Sequence, residues 1–168
     1  MSLQALNDLN KVQLAALLAR CCGSSRWVEE MQSLFPFADK ALLFKYAASV
    51  WYGFDESDWQ EAFTHHPAIG DMASLEKKFA ATADWAAGEQ VAVKQSSQQV
   101  LAALSEANQL YKRKFGYLFI VCATGKSAEE ILQLLKGRLN NQPEDEIKIA
   151  MEEQHKITIL RLEKLLLP

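Results

Sequence analysis

Helix starts and stops recur along this chain so regularly that they leave little room for any other element, and this punctuation most limits how it can fold. Asn10 stands before a stripe of Val12, Leu14, Leu17, Leu18 and Cys21 that ends near Gly23. Ser24 or Ser25 opens a short segment through Trp27, Val28, Met31 and Leu34, stopped before Pro36. Asp39 precedes Leu42, Leu43, Tyr46, Ala47, Val50 and Trp51, and Gly53 closes that run. Ser57 starts another through Trp59, Ala62 and Phe63. It must finish near His66-Pro67, because a residue before proline is pushed out of helical geometry. Ser97 or a neighbour begins a long helix through Val100, Leu101, Leu104, Ala107 and Tyr111 to Gly116.

Two later starts are sharper. Ser127-Ala128-Glu129-Glu130 is a capping box in front of Ile131, Leu134 and Leu135. Pro143 with Glu144, Asp145 and Glu146 combines a first-turn proline with acids that suit the positive helix end. Tyr117 to Cys122 is the exception. Its aromatic and β-branched residues favour a strand, but a lone strand has no partner. It reads as a buried extended stretch or as the first turns of a core helix. The expected fold is all-α: a single-domain multi-helix bundle with short connections, covering residues 1–168.

A charge of -3 with acids and bases interspersed gives no footprint for nucleic acid. The basic run Lys112-Arg113-Lys114 reads as a solvated helix end. Three cysteines, two of them adjacent, point to reduced thiols. No basic leader, membrane-length apolar run or peroxisomal address is visible, so a soluble cytoplasmic protein is expected. His65 beside His66 is not metal spacing, and glycine-rich phosphate loops and nucleophile elbows are missing. No metal and no cofactor is therefore expected.

Three residues invite chemistry. His66, held before Pro67 with Gly70 shortly after, points where a rigid turn points it, as a catalytic imidazole or as a turn residue bonded to the backbone. Glu89 is either its acidic partner or a solvent-facing helix residue. Arg161 lies near the inner stripe Ile147, Ala150, Met151, Gln154 and Ile157, where a guanidinium needs an anion. That anion is a glutamate from another helix or a bound carboxylate or carbonyl-rich ligand. The tryptophans at 27, 51, 59 and 85 read as core, Cys122 as a buried filler, and His155 as an exposed pair with Glu152.

Taken in order, His66-Pro67-Ala68-Ile69-Gly70, Trp85 through Glu89-Gln90, Lys114 to Ala123, Glu144 to Ala150, and Lys156-Ile157 with Leu160-Arg161-Leu162 resemble the OHCU decarboxylase family, in its bacterial stand-alone form. OHCU is 2-oxo-4-hydroxy-4-carboxy-5-ureidoimidazoline, an intermediate of urate breakdown. The resemblance runs from Leu3 to Leu166. It implies an all-α homodimer that converts OHCU to (S)-allantoin and carbon dioxide without a cofactor. By residue, it implies that His66 is the proton donor, Glu89 its acidic partner and Arg161 the active-site arginine. It further implies that Pro67, position 86, Gln90 and the main chain of Phe119, Ile120, Val121, Cys122 and Ala123 hold the substrate. One departure stands out: a serine commonly occupies the place of Ala86. A lost hydroxyl contact there would cost about 0.5–1.5 kcal/mol. Two rivals are a non-catalytic helical dimeric interaction module of the same fold and a hydrolase of a related ureido compound, which would call for a positioned water and a metal.

Overall fold

A computed structural model describes residues 1–66 and 90–167, with the side chains of all of these except 90–97. The fold is all-α. Among the described residues there are eight helices and no strand: α1 (Leu3–Asn7), α2 (Lys11–Cys21), α3 (Ser25–Ser33), α4 (Lys40–Tyr52), α5 (Glu56–Thr64), α6 (Gln90–Phe115), α7 (Ala128–Arg138) and α8 (Pro143–Leu165). By internal contacts the chain divides into two compact units. One comprises Met1–His65 with Met151–Pro168, the other His66–Ala150.

The first unit is organised around α3, against which α2, α4 and α5 all pack. Its apolar face buries Trp27, Val28 and Met31. The starts are fixed where the sequence put them: Asn10 forms a reciprocal capping box with Gln13, Ser24 caps α3, and Asp39 caps α4. Asp55, not Ser57, caps α5, accepting bonds from the Ser57 amide and hydroxyl. Indoles then tie helices at their backbones. Trp27 Nε1 donates to the Ala47 carbonyl at 3.2 Å, and Trp51 Nε1 to that of Met151 at 3.0 Å. Buried aromatic rings with a satisfied N–H give both area and register. Trp59 is only half-buried, and Trp85 lies outside the described residues.

The second unit is built on α6 against α7. Leu101, Leu104, Ala107 and Tyr111 of α6 meet Ile131, Leu132 and Leu135 of α7, with Phe119 and Val121 between them. Helix α6 begins at Gln90, seven residues before the expected start at Ser97. It ends at Gly116, whose φ of 82° only glycine adopts without strain. Ser127 and Glu130 make the capping box read from the sequence. The 117–123 stretch is neither helix nor strand, yet Phe119, Ile120, Val121 and Cys122 are buried. The buried-segment expectation holds and its helical alternative does not.

Candidate active site

Arg161 projects from α8 toward the end of α2. Its Nη1 donates to the carbonyls of Arg20 and Cys21, each at 3.3 Å. A cation suits this position, since the last carbonyls of a helix carry partial negative charge. Neither contact is an ion pair, and Arg161 makes none among the described residues. The glutamate partner allowed for it is therefore not found there. Beside it opens a cavity of about 790 Å³, lined in part by Leu17, Arg20, Cys21, His65, Arg161 and Lys164. That volume takes a small-molecule ligand, and the cations around it favour an anionic one.

Two features shape this wall. A Cβ at Gly23 would fall 2.6 Å from His65 Cβ and Cγ, so a larger residue there would displace the His65 ring. The thiols beneath are held protonated. Burial pushes Cys21 up to about 11 against the opposing fields of Arg161 and Arg20, and pushes Cys22 up to about 12. Neither is a nucleophile at neutral pH.

In the other unit, the 119–123 main chain is held by cations. Arg138 Nη1 donates to the Ile120 carbonyl at 2.7 Å, and Lys126 Nζ to that of Cys122 at 2.9 Å. The Arg138 guanidinium also lies 4.6 Å over the Phe119 ring. It is fixed in turn by Glu146, whose Oε1 receives Nε at 2.7 Å and Nη2 at 2.6 Å. Glu146 is fully buried; the Tyr111 hydroxyl donates to Oε1 and Asn141 Nδ2 donates to Oε2 at 2.7 Å. Burial, then the bond to Glu146, drives the Tyr111 pKa well above the phenol range, so it remains a donor. Every face of this charge pair is met, as a buried pair requires.

Sequence reasoning gave Arg138 and Glu146 no role of this kind. A signal existed: Arg138 continues the Ile131, Leu132, Leu135 stripe at the next helical step, and Glu146 adjoins Ile147 and Ala150 on the inner face of α8. A charge on each of two apolar stripes, eight residues apart across a turn, is a pattern for a buried pair. His155 also differs from expectation. It is half-buried with its ring 5.1 Å from that of Tyr52, burial lowers its pKa, and Nδ1 has no hydrogen-bond partner among the described residues.

His66 follows the end of α5 in a bend and is half-buried. Pro67, Ala86 and Glu89 lie outside the described residues, as does the side chain of Gln90, whose backbone opens α6. His66 and residues 119–123 belong to one compact unit and Arg161 to the other. Of the residues singled out in the sequence, those the structure gathers are Phe119 to Ala123, on the Arg138 and Lys126 side chains.

Comparison with known proteins adds an independent line. A family model described as OHCU decarboxylase matches residues 7–163. The chain is 38% identical over 148 residues to the "Uric acid degradation bifunctional protein TTL" of Arabidopsis thaliana, covering 86% of this chain and 45% of that protein. It is 42% identical over 65 residues to the 2-oxo-4-hydroxy-4-carboxy-5-ureidoimidazoline decarboxylase of Amia calva, covering 39% of this chain and 37% of that one. The chain thus spans less than half the length of the Arabidopsis protein. A crystal structure of OHCU decarboxylase in the presence of (S)-allantoin superimposes with a TM-score of 0.71 at 36% identity, covering 88% of this chain and 95% of that one.

Proposed function

The chain belongs to the OHCU decarboxylase family, and from that premise we propose that it removes carbon dioxide from OHCU to give (S)-allantoin. The observation that carries this reading is the family match over residues 7–163. The cation-lined cavity at Arg161 supports it, because the substrate brings a carboxylate and several carbonyl oxygens.

The reaction needs little from the protein in bond-making terms. As the carbon–carboxyl bond breaks, its electron pair moves into the ring toward the neighbouring C=N. The ring nitrogen that receives the pair takes up a proton, the ureido-bearing carbon is then protonated on one face, and the hydroxyl releases its proton as its carbon becomes a carbonyl, a net uptake of one proton. Orientation, charge stabilisation and a one-sided proton are what remain to be supplied. His66 is the proton donor, a role worth about 10²–10⁴-fold. Glu89 bonds the substrate hydroxyl or orients His66. Arg161 clamps substrate oxygens, for which it keeps most of its donors available. Pro67, Ala86, Gln90 and the 119–123 main chain hold the ring. The chain acts in the cytoplasm as a homodimer in which residues 1–168 form one domain; light scattering reads the mass, and a single cooperative unfolding transition the domain.

The test is optical. OHCU is generated in solution from urate by the two preceding enzymes of the route, and circular dichroism follows (S)-allantoin. Wild-type protein speeds the signal, and His66→Ala leaves slow, racemic product. A hundredfold preference for one face corresponds to about 2.7 kcal/mol between transition states. Racemic decay unaltered by the wild-type protein overturns the assignment and favours an interaction module.

A further inference from the structure

We infer that Arg138 is a positioning residue for the substrate-holding main chain, setting the place of the Ile120 carbonyl and with it the wall at 119–123. The inference rests on the reading above that this segment lines the substrate site. The segment forms neither helix nor strand, so no backbone ladder fixes it. Core packing of Phe119 and Val121 seats its side chains, and two cations hold its carbonyls: Arg138 that of Ile120 and Lys126 that of Cys122. Between these anchors, the Val121 amide and carbonyl have no hydrogen-bond partner among the described residues. They form the stretch offered to a polar ring.

The two anchors differ. Lys126 is half-buried on a flexible stem four residues along from its acceptor. Arg138 is buried, and its planar fork joins the Ile120 carbonyl to Glu146 with both groups below 3 Å. A lysine ammonium cannot span the same two acceptors in that geometry. The Arg138 fork therefore transfers the fixed position of α8, through Glu146, to a segment that has no regular structure of its own.

The experiment compares Arg138→Lys, Glu146→Gln and Ser127→Ala in the optical assay, well below each variant's melting temperature. Ser127→Ala removes the α7 cap and lowers stability without touching the segment. The expected result is a KM raised about tenfold in Arg138→Lys, with kcat within about threefold and the excess of (S) product reduced. Glu146→Gln raises KM about threefold, and Ser127→Ala leaves KM and the product hand unchanged. If the Arg138 and Glu146 variants alter KM no more than Ser127→Ala at matched stability, the positioning role is overturned and the decarboxylase reading stands. If Arg138→Lys does not fold, Glu146→Gln decides by the same criterion. Wild-type protein inactive on OHCU would instead sink the decarboxylase reading itself.

Discussion

Arg138 and Arg161 are the same side chain put to opposite uses in two regions of the molecule. Arg138 is buried and spent: a carboxylate, a carbonyl and an aromatic face meet its guanidinium within a few ångströms. Arg161 is half-buried and barely engaged, with one nitrogen shared between two carbonyls at 3.3 Å and a cavity beside it. A saturated guanidinium builds structure and has nothing left for a ligand. An unsaturated one contributes little to folding and retains its hydrogen-bonding capacity for an anion. The local count of acceptors separates the two, not burial alone.

The largest effect should come from undoing the saturated case. Glu146→Ala leaves Arg138 charged and buried without its counter-ion, and loss of one partner of such a pair costs about 3–5 kcal/mol. Urea unfolding checks it; a loss below about 1 kcal/mol would mean that the pair contributes little. Arg161→Ala should behave in the reverse way. Its stability loss stays under about 1 kcal/mol, while kcat/KM on OHCU falls about 10²-fold, as when one donor to a developing charge is removed. Equal damage to stability in both variants would erase the contrast between the two arginines.

The thiols beside Arg161 give a finer probe. Burial raises both, to about 11 at Cys21 and about 12 at Cys22. Their neutral form belongs to the folded state, so the stabilisation is whole below the ordinary thiol range and is lost as pH climbs through about 11 to 12. At pH 8, alkylation of Cys21 in the folded protein should run about 10²-fold slower than in the unfolded chain. Because Arg161 partly offsets the burial of Cys21, Arg161→Ala should slow that labelling by a further small factor. Mass spectrometry of labelled peptides reads both rates, and faster labelling in the variant would contradict the field assigned to Arg161.

Much of the fold was legible because helix ends carry chemistry in single residues. Asn10, Ser24, Asp39 and Ser127 each announce an N-terminus by what their side chains accept. The start of α6 was not legible: Ser97 is an acceptable cap in the sequence, yet the helix runs through it from Gln90, and a serine inside a helix looks the same as one before it. The site divides in the same way. Arg161 is legible as a charge on an apolar stripe, while Arg138, in the same situation, is not, because its partner lies across a turn. Pairing between helices is a three-dimensional fact that periodicity along one of them does not encode. The resemblance supplied roles for His66, Glu89 and Arg161 that residue types alone left open.

The seat of Arg161 on the closing carbonyls of α2 has a consequence for ligand binding. An anion bound by the donors that Arg161 keeps available also pulls its guanidinium away from the two carbonyls sharing Nη1, so some of the attraction is diverted into releasing a helix end. Saturating the cavity should then loosen the final turn, whose last amide, Cys22 N–H, bonds the Leu18 carbonyl at 3.0 Å. Deuterium uptake at that amide becomes an occupancy gauge, rising with ligand concentration and needing no chromophore or product.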